Sequence, residues 1–341
     1  MYFMPSNEAD KTGSHIIPHF LMKRVDNADH VKGRDKELGF KITEDFVKPY
    51  FGRDVKTDKL EAVFGELSDE DIADSRSDII ADHIYCTACE KKFSDIESAY
   101  AQTLTVYDDK LYYSTKDPLM ASLFWTSVIW RASAYGGLGF KLAPKEENCL
   151  RQILNKFLGV EHRDTKDQAF QSFTGDIRYA LLRAPNYAER SATATLFHAY
   201  HRFPYCLLLG EYVLFYYMKA AHQNNVQQSF FGLEKRLRSC PVNSFESGEM
   251  IMPIPDEVML SAWEEFVAFV NDIRVKSLFK KLDGLHVKLG GYGKHMHPID
   301  KIEILNEIMD EGKNLGRTFT MEDIMQSTIK VLAKNHGIKE E

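Results

Sequence analysis

Ser14-His15-Ile16-Ile17-Pro18, answered further along by Cys86-Thr87-Ala88-Cys89-Glu90, are the stretches whose reading decides the fold of this chain. Residues 15–24 (HIIPHFLMKR) read as a short apolar strand, a turn at Pro18 and the start of a helix. Ile79, Ile80 and Ile84 lead as a second strand into a Cys-x-x-Cys knuckle. From Cys89 onward, Phe93, Ile96, Ala99, Tyr100 and Leu104 recur at three- and four-residue spacing, which is one apolar stripe along a helix. Strand, strand, helix is therefore the predicted order of a small N-terminal finger, residues 1–104, interrupted by a polar insert at about 25–82.

Outward from the finger the pattern changes. TVYDDKLYYST, from Thr105, alternates like a strand or hairpin, and residues 119–135 are apolar nearly all round, as a central core helix would be. Gly136, Gly137 and Gly139 stop that helix. Helical patterns are read at 145–158, 166–183, 187–200, 258–282, 300–311 and 320–335. Leu207 to Met218 (LLLGEYVLFYYM) reads as β-branched and aromatic, so strand and buried helix are not separated by periodicity there. The expectation is an α+β, mainly α protein: a small ββα finger plus a larger, mainly helical domain over 105–341 that binds substrate or partner.

A chain of 341 residues is long enough for two cores, since one domain usually takes roughly 100–200 residues. No run reaches the roughly 18–20 apolar residues of a membrane span, and the first residues carry neither a basic region nor an apolar one, so neither a membrane nor a secretory signal is expected. Five cysteines, an odd number with one close pair, argue for a reducing, cytoplasmic setting with thiols or a metal and against a disulfide framework. Residues 1–100 hold 14 Lys/Arg against 21 Asp/Glu and the remainder 29 of each, so the whole net charge of −7 lies in the first 100 residues, with the finger. Eight acids between Glu61 and Asp82 face one Arg76, a solvated face or a site for a basic partner. Global charge thus gives no support to nucleic-acid binding, which asks for a local cationic surface.

The two motifs, SHIIP and CxxCE, resemble those of the HNH, or His-Me finger, endonucleases, and the apolar segment ending in Trp130-Arg131 extends the likeness more loosely. The resemblance implies a ββα-metal-like finger and metal-dependent phosphodiester hydrolysis. His15 falls on the general-base position, Glu90 on that of a helix-borne ligand for Mg²⁺ or Mn²⁺, and Cys86 and Cys89 shape the knuckle or bind metal. Where active relatives carry a ligand just before the histidine, this chain has Ser14; the later ligand position is Ser94, with Glu97 one turn on. The family's first cysteine pair is missing: Met1 and Met4 stand at that distance, so a structural Zn²⁺ would need His83, His30 or another side chain. Trp130-Arg131 is expected to anchor the finger, with the guanidinium paired to an acid. Relatives with such domains occur in mobile-element and antiphage defence settings, which adds a protein partner of a defence system to the expected partners.

The most basic stretch holds Arg274, Lys276, Lys280, Lys281, Lys288 and Lys294, with glycines at 284, 290, 291 and 293. Lys276, Lys280, Lys281 and Lys294 are the candidate nucleic-acid contacts, DNA ahead of RNA, against the plainer reading of a solvated helix and a hinge. Gly293-Lys294 is no P-loop, since Lys288 and His295 stand where Gly and Ser/Thr belong. His198-x-x-His201 on one helix face and His295-x-His297 in a loop have no carboxylate in register and read as ordinary surface or packing residues. Two competing readings stay open beside the nuclease: an interaction protein with a degenerate finger, and a nucleic-acid binder that does not cleave.

Overall fold

The structure, a computed structural model, describes residues 9–10, 14–22, 38–42, 47–51, 80–81, 84–136, 138–159, 174–185, 187, 195–198, 204–224, 230–315 and 321–336. The fold is α+β and mainly α, as expected. In chain order it begins β1 (Ser14–His15), α1 (His19–Met22), β2 (Leu38–Ile42), β3 (Val47–Phe51), β4 (Ile80–Ala81) and α2 (Thr87–Ala101). Next come β5 (Tyr112–Thr115), α3 (Pro118–Tyr135), α4 (Pro144–Phe157), β6 (Arg178–Arg183), β7 (Thr195–His198), β8 (Tyr205–Leu209) and β9 (Tyr212–Tyr217). The chain closes with α5 (Glu234–Ser239), β10 (Glu249–Pro253), α6 (Asp256–Lys288), α7 (Pro298–Leu315) and α8 (Met321–His336). Two compact units divide it: Met1–Asp26 with Ser77–Glu265, and Asn27–Arg76 with Phe266–Glu341.

In the first unit β1 pairs antiparallel with β4, Ser14 opposite Ala81 and His15 opposite Ile80, and the chain then turns through Tyr85 and Cys86 into α2. Strand, strand and helix thus follow in the order read from the sequence. α3 is the central post. Asp117 caps it, accepting from the Met120 amide at 3.0 Å, Pro118 opens it, and Gly136 ends it in a left-handed cap. Every residue from Ala121 to Ser133 is buried, so no polar face is needed. The stripe Phe93, Ile96 and Tyr100 of α2 packs into the same core as Phe124, Trp125 and Trp130 of α3, and that core continues without a break into the sheet.

The sheet runs β5-β10-β6-β9-β8-β7, antiparallel at every step except the parallel pair β10–β6. It corrects the helices expected at 166–183 and 187–200, where Arg178–Arg183 and Thr195–His198 are strands, and 207–218 resolves into a hairpin. RYALLR is made of helix formers, but it lies between β10 and β9 with all but its first residue buried, and burial on both faces removes the alternation that marks a strand. Leu209 pairs with Tyr212, leaving Gly210-Glu211 as a two-residue turn. Gly210 takes φ +57°, and a Cβ there would lie 2.5 Å from the Leu21 carbonyl oxygen, so the turn tip abuts α1.

The second unit contains the antiparallel hairpin β2–β3 within what the sequence offered only as a polar insert. The acids of the Glu61–Asp82 block lie outside the described residues. Its helices close over Leu282, Met296, Ile304, Ile308 and Val331.

Candidate active site

The finger is organised by Arg131, whose side chain is 1% exposed. Its Nη1 donates to the His15 carbonyl oxygen at 3.1 Å and to Glu97 Oε1 at 2.5 Å, and its Nε to the Ser127 carbonyl at 3.3 Å. The guanidinium also lies over the Phe93 ring, 4.9 Å from its centroid. This is the anchor expected of Trp130-Arg131: one cation ties the strand carrying His15 to the helix carrying Glu90. It also engages Glu97, which leaves the reserve metal-ligand role for it poorly suited to the geometry.

His15 ends β1, half-buried beside the fully buried Ser14, Ile16 and Ile17. Glu90 lies in the first turn of α2, where the helix macrodipole favours a carboxylate, and its amide donates to the Cys86 carbonyl at 3.0 Å. Ser94 is exposed. Cys86 is the N-cap residue: its sulfur accepts from the Cys89 amide at 3.3 Å and stands 3.0 Å from the Cys89 sulfur, both thiols being free. Asp10, which the sequence did not single out, accepts from the Thr87 amide at 2.8 Å and its hydroxyl at 3.2 Å, a second cap on the same helix end. Tyr85, Phe93 and Trp130 form an aromatic wall under the knuckle. Burial holds the Tyr85 phenol well above its ordinary range; Arg131 opposes the rise, and Glu90, Glu97 and Cys89 add to it.

Among the described residues no three His, Cys, Asp or Glu side chains group closely enough to hold a metal ion by themselves. An imidazole and a carboxylate are suitable donors to a hard divalent cation whose remaining positions go to water and phosphate oxygens. Two sulfurs fill half of a tetrahedral zinc site, and His83 and His30, the candidates to complete it, lie outside the described residues.

The other expected residues lie elsewhere. Lys276, Lys280, Lys281 and Lys294 are exposed in the second unit, Lys276 paired to Asp272 at 2.5 Å. His198 lies on β7 and not on a helix face, and His201 is outside the described residues. His295 Nδ1 is 3.0 Å from Asp283, and His297 Nδ1 accepts from the Ile299 amide at 3.3 Å, ordinary roles as read.

Glu249, at the start of β10, escaped the sequence reading altogether. Fully buried, it accepts from Tyr100 (2.9 Å) and Ser114 (2.5 Å) on one oxygen, and from Trp125 (2.8 Å) and Tyr179 (2.9 Å) on the other. Burial pushes its carboxyl above the usual range and outweighs those four hydrogen bonds, which pull the other way. The donors come from α2, β5, α3 and β6, so sequence spacing gave no hint of the cluster.

No protein family profile matches the chain, and no curated protein or solved structure matches it either. No helix among the described residues is long and apolar enough to cross a membrane.

Proposed function

We propose that the finger is the catalytic element of a cytoplasmic, metal-dependent nucleic-acid endonuclease of HNH type. The observation that carries this reading is the β1–β4 pair followed by α2, which puts His15 on the strand and Glu90 in the first turn of the helix, the two halves joined through Arg131. His15, half-buried at the end of its strand, accepts the proton of a water molecule as its oxygen bonds to phosphorus and the bridging P–O bond breaks. Glu90 would hold Mg²⁺ or Mn²⁺, which when bound supplies positive charge to the phosphate oxygens. Cys86 and Cys89 keep the knuckle shut and fix the helix start. The exposed lysines of the second unit are proposed, by themselves, as phosphate contacts, with DNA the first substrate to test.

The test is plasmid nicking with Mg²⁺ or Mn²⁺, wild type against His15→Ala. Loss of a general base is expected to lower the rate about 10²- to 10⁴-fold. Equal rates in the two proteins, or no cleavage by either, would remove the proposal. A second reading, a finger kept only as a folding element that docks a protein partner, draws on the Arg131–Glu97 pair, which uses a carboxylate for structure that catalysis would find convenient.

A further inference from the structure

The end of α6 and the loop after it form a built platform. Asp283 holds the loop from below, accepting from the Met296 amide at 2.8 Å, His295 at 3.0 Å and Lys301 at 2.6 Å. His286 supports it from the helix: its ring nitrogen is 3.2 Å from the Tyr292 carbonyl oxygen, and its carbonyl accepts from the Gly291 amide at 2.9 Å. Gly291 is required for this seat, because a Cβ there would lie 2.2–2.5 Å from the imidazole ring. What the platform presents is unusual: Tyr292 is 101% exposed, Leu289 58%, and Lys288 and Lys294 on either side are exposed as well. Across 274–297 six Lys or Arg stand against the single Asp283, which is already engaged, in a chain whose net charge is −7.

A fully exposed aromatic ring flanked in the chain by two exposed lysines suits a ligand that is polyanionic and has flat faces free to stack. We propose that this platform binds unpaired nucleic acid, with a base stacked on Tyr292 and neighbouring phosphates on Lys288 and Lys294. A duplex keeps its bases stacked on one another and offers the ring no face, so the selectivity is for single strands. The proposal rests on the nucleic-acid reading above for its partner class and not on cleavage.

The experiment uses the full chain in EDTA, so that cleavage plays no part, and follows the fluorescence anisotropy of a labelled oligo-dT and of a mixed-sequence duplex of equal length. Expected results are saturable binding of the single strand ahead of the duplex, weakened about fivefold to a hundredfold in Tyr292→Ala and restored in Tyr292→Phe. In the double variant Lys288→Ala/Lys294→Ala, the slope of log K against log salt should fall by about 1.4, two phosphate contacts at roughly 0.7 each. No binding by the wild type, equal affinity for strand and duplex, or equal affinity in Tyr292→Ala overturns the proposal, as does Tyr292-dependent binding of phosphatidylserine vesicles with none of oligo-dT. Loss of nicking in the wild type with oligo-dT binding intact removes the endonuclease reading and leaves this one standing.

Discussion

Replacing Glu249 offers the sharpest test of how this molecule holds itself together. The carboxyl serves four donors, and Trp125 Nε1 has a second acceptor in the Tyr100 hydroxyl at 3.0 Å, while Ser114 has the carbonyl of residue 249 at 3.4 Å. Leucine at 249 therefore strands the hydroxyl hydrogens of Tyr100 and Tyr179, at about 1–3 kcal/mol each, or roughly 2–6 kcal/mol together. Glutamine does less harm. An indole N–H only donates, so the amide oxygen must face Trp125 and Tyr179; its NH₂ then faces hydroxyls that turn to accept. One hydrogen, that of Tyr100, is left over, for about 1–3 kcal/mol. Urea denaturation followed by tryptophan fluorescence should rank wild type above Glu249→Gln above Glu249→Leu. Acidity adds a second axis. The folded-state pKa lies above the unfolded one, so the folded protein holds this proton more tightly. The group's contribution is fully present below the unfolded value of about 4.3 and is lost as pH rises through the folded value. The advantage of wild type over Glu249→Gln should accordingly grow on acidification. Glu249→Leu as stable as wild type, or an advantage that shrinks as the solution is acidified, would refute the account of this carboxyl as a buried acceptor that holds its proton more tightly in the folded protein.

Three further outcomes are expected. Arg131→Ala leaves the largely buried Glu97 without its cation and should cost about 3–5 kcal/mol in urea unfolding, while Arg131→Lys recovers only part because one ammonium does not span His15, Glu97 and Ser127. Gly210→Ala should cost about 2 kcal/mol or more in thermal unfolding, from the left-handed backbone together with the approach to Leu21, and a loss below about 0.5 kcal/mol would show that the turn is not pressed against α1. Cys86→Ser keeps a good helix cap and should change stability by about 1 kcal/mol or less; a loss of several kcal/mol, with metal leaving the purified protein by mass spectrometry, would reveal a zinc that the two thiols share.

The parts legible in the sequence are those where local chemistry and final structure agree. SHIIP and CxxCE fell on the strand and the helix start; the apolar run 119–135 and Gly136 marked α3 and its end; and the helical spacing of 145–158 and of the C-terminal helices was kept. The sheet was missed where strands are buried on both faces, as in Arg178–Arg183, because the period-2 signal needs one wet face. The hairpin β2–β3 could have been read: Leu38, Phe40 and Ile42 alternate with Gly39 and Lys41, but the density of charge around them masked it. Arg131 was legible as an anchor seeking an acid. Its particular acid was not, and nor was Glu249, whose donors lie 149, 135, 124 and 70 residues away.

The two buried polar clusters, around Arg131 and around Glu249, act on one helix face, and this bears on the finger. Glu97, which meets Arg131, and Tyr100, which meets Glu249, are three residues apart on α2, while Trp125 and Arg131 both belong to α3. Apolar packing of Phe93, Ile96 and Tyr100 against α3 would tolerate a slide of one turn, about 5.4 Å, with much of its area still covered. The polar pair does not tolerate it, since such a slide strands a guanidinium and at least one hydroxyl together. Their role is therefore registry more than net stability, the use of buried polar groups that holds up best when apolar replacements are stable. Glu90 lies two turns before Glu97 on the same face of α2, and Arg131 also grips the carbonyl of His15. A single register thus fixes where the carboxylate of the helix stands relative to the histidine of the strand. Any chemistry the finger performs depends on residues that neither motif contains.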